Sequence, residues 1–162
     1  MRLRPRKKTR EPVPELTPRN LSISLEQSSG VRAIIVEDDL VTRSLLRHRL
    51  RGIGCEIVAE CGSARDASER VIALRPDLIT LDVEMPEFDG IGVVDLFRKI
   101  RRELPSIEVV IISASAFPVY RELFLKEGAF TYLSKPIDFA GMARQLRRIF
   151  PKLKPYEPDP AF

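Results

Sequence analysis

The chain has 162 residues, 44% of them hydrophobic and 31% charged, which suits one domain with tails and leaves no room for a second catalytic domain. Its longest apolar strings, such as Val109 to Ile112, are too short to cross a membrane, and no apolar segment follows the charged N-terminus, so no membrane insertion is expected and the cytoplasm is the default location. The net charge of +4 belongs to the first 30 residues, where seven Lys/Arg face three acids; residues 31–162 balance.

In chain order, residues 1–30 hold four prolines and no sustained apolar period, which predicts a disordered basic arm. Residues 31–150 alternate instead. Short runs rich in Val, Ile and Leu stand at Arg32–Val36, Cys55–Glu60, Asp77–Leu81, Glu108–Ile112 and Phe130–Leu133, and each reads as a strand. Between and after them come helical spacings. Leu40, Leu45, Leu46 and Leu50 mark the first, Ala67, Val71 and Leu74 the second, and Ile91, Val94, Phe97 and Ile100 the third. Leu123 and Phe124 mark the fourth, and Met142, Leu146 and Ile149 the fifth. The second and third helices are expected to stop at Arg75-Pro76 and Leu104-Pro105, because the residue before proline avoids the helical region. Residues 151–162 hold four prolines and read as a second disordered tail. Five βα units with strands apolar throughout predict an α/β domain, a parallel sheet covered by helices on both faces.

Open sheets of this kind place ligands at the carboxyl ends of their strands. There the first strand hands over to Glu37, Asp38 and Asp39, the third to Asp82, the fourth to Ser113 and Ser115, and the fifth to Ser134, Lys135 and Pro136. Taken singly these are bland: Asp82 a turn cap, Lys135 a surface lysine, Ser113 a loop serine, Tyr132 a core aromatic. Asp39 reads as a helix N-cap. Together, several carboxylates on one edge repel and raise one another's pKa unless a cation sits among them. Mg2+ suits oxygen ligands of this kind. A carboxylate beside a metal, a lysine and a hydroxyl is equipped for phosphoryl transfer, with Asp82 as nucleophile. Cys55 and Cys61 read as reduced thiols at the two ends of one strand. His48, among Arg47, Arg49 and Arg51, reads as a solvated side chain.

The strings "IIVEDD", "LDVEMPEFDG", "IISA" and "GAFTYLSKP", in this order, resemble the receiver domain of bacterial two-component response regulators over roughly residues 31–150. That resemblance implies a flavodoxin-like (βα)5 fold with strand order 2-1-3-4-5. It implies Asp82 as phosphoacceptor and Mg2+ held by Asp38, Asp82 and the backbone carbonyl of Glu84, with Glu37 acting through water. Ser113 would be the switch hydroxyl, Lys135 the phosphate partner, Lys135-Pro136 a cis peptide, and Tyr132 the aromatic that changes rotamer. Glu37 stands where the family more often has Asp, Ser113 where it more often has Thr, and Glu84 adds a carboxylate near the phosphate. "TLDVEMP" resembles the receiver of the chemotaxis methylesterase, whose esterase domain is not in this sequence.

The implied role is a stand-alone switch or phosphorelay carrier, without enzymatic activity beyond its own phosphorylation and dephosphorylation. A sensor histidine kinase or histidine phosphotransfer protein would load it, and an unidentified downstream protein would read the face of the fourth helix, fifth strand and fifth helix, which also leaves room for a weak homodimer. Two rival readings are a constitutive, phosphate-independent docking module and the regulatory half of a larger output protein. The basic arm lacks aromatic residues for base stacking, so a nucleic-acid partner has the weaker case.

Overall fold

A computed structural model describes residues 30–86, 92–115 and 117–158; the basic arm up to residue 29 lies outside them. The described residues contain five strands, β1 (Val31–Val36), β2 (Cys55–Cys61), β3 (Leu78–Asp82), β4 (Glu108–Ser113) and β5 (Thr131–Ser134). They contain five helices, α1 (Leu40–Gly52), α2 (Ala64–Leu74), α3 (Val93–Glu103), α4 (Pro118–Lys126) and α5 (Phe139–Ile149). All strand pairs are parallel, in the order β2-β1-β3-β4-β5, as the resemblance implies. The chain leaves β1 toward one side of the sheet and returns to the other at β3, which opens a crevice above the carboxyl ends of these two neighbours.

The central strand β3 is buried at all five positions, which is why its sequence shows no polar alternation. One face of the sheet packs Ile34, Ile79, Val109 and Ile111 against α2, α3 and α4, with Phe97 and Phe124 edge to face at 5.1 Å. The other packs Ala33, Ile35, Val110 and Ile112 against α1 and α5 through Leu46, Leu50, Met142 and Leu146.

Local chemistry sets the helix ends. The Asp39 carboxylate accepts from Thr42 N at 2.7 Å and starts α1, the N-cap role expected for it. Ser63 and Asp138 cap α2 and α5 in the same way. α2 stops at Leu74, where Arg75 turns left-handed at φ 44° before Pro76, and α3 stops at Glu103 before Leu104-Pro105. The Lys135-Pro136 peptide is cis.

Two expectations need correction. Leu40 is not a core residue of α1 but 70% exposed: it is the first helical position, and helical side chains lean toward the N-terminus, so it overhangs the sheet edge with nothing beneath. Residues 151–158 are not a free tail. Leu153 is buried, Lys154 N donates to Ile53 O at 2.8 Å, and Arg49 lies over the rings of both Phe139 and Tyr156. Two apolar side chains and the backbone bonds of Leu153 and Lys154 seat this proline-rich segment. Residues 159–162 lie outside the described residues. The helix marker Ile91 does too.

Candidate phosphoryl site

The register of the sheet carries each strand-end group to one place. Val36 lies opposite Leu81, Asp82 opposite Ile112, and Ser113 opposite Ser134, so the first residues past the ladders meet along one edge. Backbone bonds continue the strands there, from Glu37 N to Cys61 O and from Lys135 N to Ser113 O.

Glu37, Asp38 and Asp82 bring carboxylate oxygens within 4.8 Å of one another. Glu37 and Asp82 are buried, at 1% and 3% exposure, while Asp38 faces solvent. The Lys135 ammonium bonds both buried acids, reaching Glu37 Oε2 at 3.0 Å and Asp82 Oδ2 at 2.9 Å. The second oxygen of each acid accepts a backbone N–H: Glu84 N donates to Asp82 Oδ1 at 2.9 Å and Asp39 N to Glu37 Oε1 at 3.2 Å. Arg43 on α1 anchors the same corner by donating to Glu37 O at 2.7 Å.

Burial holds the Glu37 carboxyl above its ordinary pKa, and the nearby Asp82 charge adds to that; the Lys135 hydrogen bond offsets part of it. For Lys135, burial acts against the charged form, but its bonds to Asp82 and Glu37 outweigh it and the pKa is raised. The ammonium is therefore charged at neutral pH.

Three carboxyl groups gather beside one ammonium, two of them buried and one open to solvent. An all-oxygen donor set with an exposed carboxylate at its mouth fits a hard divalent cation that keeps some of its water. The arrangement can present the Asp82 carboxylate to an incoming electrophile while a cation and Lys135 neutralise anionic oxygens.

Ser113 is fully buried at the end of β4, and its Oγ accepts from Ser115 N at 2.9 Å. Glu84 lies on the exposed rim, and its carboxylate accepts from Ala114 N at 2.9 Å, tying the loop after β3 to the loop after β4. Tyr132, for which the sequence left core and switch open, is in the core at 4% exposure. Arg43 and Arg121 escaped the sequence reading. Arg121 Nη1 donates to Tyr132 O at 2.9 Å; arginines are frequent in this chain, and no local pattern singles out these two. His48 is exposed on α1 and Ser134 on the rim of β5. Neither His48 nor Asp39 belongs to the acid cluster.

The chain is thus a doubly wound α/β domain with an acid cluster, a lysine and a buried hydroxyl at the carboxyl edge of its sheet. The chain belongs to the response regulator receiver domain family, whose model matches residues 33–147. Membership places it in two-component signalling, where receiver domains act as phosphorylation-dependent switches facing histidine kinases or phosphotransfer proteins. It is 35% identical to a response regulatory protein of Yersinia pestis over 120 residues, 74% of this chain and 48% of that one. It is 28% identical to the chemotaxis protein CheY of Thermotoga maritima, covering 74% of this chain and 98% of that one. A CheX–CheY complex of Borrelia burgdorferi with BeF3 and Mg2+ aligns at a TM-score of 0.66 and 26% identity, covering 74% of this chain and 88% of that one. The chain spans about half the length of several curated relatives it matches, at 48% for the Yersinia protein. No helix among the described residues is long and apolar enough to cross a membrane.

Proposed function

We propose that the protein is a signalling switch or phosphorelay carrier whose phosphoacceptor is Asp82. The observation that carries this reading is the Asp82 carboxylate itself, buried at the crevice, bonded by Lys135 at 2.9 Å and flanked by Glu37 and Asp38. The donor would be the phosphoimidazole of a histidine kinase or phosphotransfer protein. A new bond forms between an Asp82 oxygen and phosphorus as the phosphorus–nitrogen bond breaks, and the departing imidazole keeps that electron pair. Bound Mg2+, held by Glu37, Asp38 and Asp82 with help from the Glu84 carbonyl, would supply positive charge for the phosphoryl oxygens. Lys135 gives up part of its bond to Asp82 and follows the charge onto the phosphoryl group. Ser113 turns its hydroxyl from the loop toward a phosphoryl oxygen, which changes the bond it makes to Ser115 N and so the loop leading into α4. Tyr132 and the α4–β5–α5 face respond, and partner affinity changes with them. The chain's own chemistry is limited to gaining and losing this phosphoryl group.

Intact mass after acetyl phosphate treatment tests the reading. One phosphoryl adduct on the wild type that requires Mg2+ and is missing from Asp82→Asn supports it; an equal adduct on the variant would move the acceptor elsewhere. No adduct and no Mg2+ binding would favour a constitutive docking module.

A further inference from the structure

Arg121 stands on the solvent side of α4, yet one guanidinium holds two parts of the same neighbour. Its Nη1 donates to the backbone carbonyl of Tyr132 at 2.9 Å, and its Cζ lies 5.7 Å from the centre of the Tyr132 ring. Tyr132 is on β5, the edge strand of the sheet. Carbonyls that an edge strand turns away from its neighbour need a partner from elsewhere, and Arg121 is that partner here. Tyr132 beneath the guanidinium is 4% exposed, and its hydroxyl finds no hydrogen-bond partner among the described residues.

Two opposed tendencies therefore act on this side chain. A buried hydroxyl without a partner pays its desolvation in full, which pushes the ring outward. Apolar packing in the core cluster that also holds Phe124 and Ala129, together with the cation over the ring face, draws it inward. If the two tendencies are close to balance, the ring has two accessible settings and a modest contact decides between them.

We propose that Arg121 is a positioning residue that keeps Tyr132 in its buried setting before any phosphoryl group arrives, and that it thereby raises the affinity of the Asp82 site for a phosphoryl-like anion. The inference rests on the reading of Asp82 as phosphoacceptor coupled to Ser113 and Tyr132. If the modified state requires the buried ring, the apparent affinity for the anion scales with the fraction of molecules that already hold it there. Because Arg121 grips the backbone as well as the ring, it also ties α4 to β5.

The test uses the full chain labelled with fluorotyrosine, whose three tyrosines are assigned by substitution, and beryllofluoride with Mg2+ as the anion probe. In the unliganded Arg121→Ala protein the Tyr132 resonance should move toward the position of a solvated ring, and beryllofluoride affinity should fall about five-fold, the size of one cation–π contact. Arg121→Lys, which retains a cation and a donor, should restore most of both signals. Tyr132→Phe in the Arg121→Ala background should also restore affinity, because the hydroxyl that favours the outward setting is gone. An unmoved Tyr132 resonance in Arg121→Ala would overturn the proposal. So would a loss of affinity that neither Arg121→Lys nor the added Tyr132→Phe repairs. If the wild type fails to bind beryllofluoride, the phosphoacceptor reading falls with the affinity claim, while the resonance of the unliganded chain still decides whether Arg121 holds Tyr132.

Discussion

The helices α3 and α4 lie on the same face of the sheet and are held in very different ways. α3 buries Val93, Leu96, Phe97 and Ile100 along one stripe, whereas α4 buries only Phe124 and leaves Val119, Tyr120 and Leu125 exposed, with Phe117 exposed just before it. Its ties among the described residues are of three kinds. Phe124 meets Phe97 edge to face, Arg121 grips Tyr132, and Glu127, one residue past α4, forms a two-pronged ion pair with Arg98 of α3. An element held by one apolar anchor and two polar clasps opens at low cost, and such elements are the ones a local charge change can displace. The loop into α4 begins at Ala114, where the candidate site touches it: Ala114 N donates to the Glu84 carboxylate and Ser115 N to Ser113 Oγ.

The largest expected effect separates the two anchors. Phe97→Ala should cost about 3–5 kcal/mol of global stability in urea denaturation, the range for an aromatic removed from a core. Phe124→Ala removes a ring of the same size but should cost less globally, because α4 can detach alone. Its signature should be the loss of amide protection over 118–126 with α3 still protected in hydrogen exchange. Equal global costs with no selective loss over α4 would erase the contrast. On the opposite face, Leu153→Ala should cost about 2 kcal/mol without altering α4, since Leu153 belongs to the cluster around Leu50 and Leu146.

A chemical probe gives a smaller but sharp readout of the well-packed half. Burial pushes Cys55 and Cys61 up to about 12, so little thiolate exists at pH 8. Both should resist iodoacetamide in the folded protein and react once it is unfolded in urea.

The smallest effect concerns the clasp from α3 to α4. The Arg98 guanidinium holds the Glu127 carboxyl below its ordinary pKa. A depressed carboxyl pKa adds stability that is fully present above the unfolded value of 4.5 and is lost as pH falls through the folded value. Wild type should therefore melt slightly above Glu127→Gln at neutral pH. That gap should close on acidification below pH 4.5, and it should shrink in high salt because the pair is exposed.

The site was legible in the sequence because its chemistry interrupts a strong pattern. Apolar strands that end in Glu37, Asp82, Ser113 and Lys135 leave polar groups where burial is otherwise unbroken, and a parallel sheet aligns those ends. Leu46 and Leu50 repeat at helical spacing and are indeed core. Leu40 fits the same pattern and fails, since periodicity gives the phase of a helix but not how far the sheet extends beneath its first turn. The seating of Leu153 and Tyr156 was hidden for a related reason: single apolar anchors among prolines carry no period. The Arg121–Tyr132 clasp depends on α4 crossing β5 at a particular distance, and nothing within the sequence of either element encodes that crossing.

Hydrogen exchange of the whole chain, with and without beryllofluoride and Mg2+, tests most directly whether a charge at Asp82 is read out through the loosely held half. The expected result is altered protection over the loop after Ser113, α4 and β5, with β1, β2 and α1 beyond the acid cluster unchanged. Protection that changes uniformly over both halves, or changes at Asp82 without reaching α4, would contradict the account.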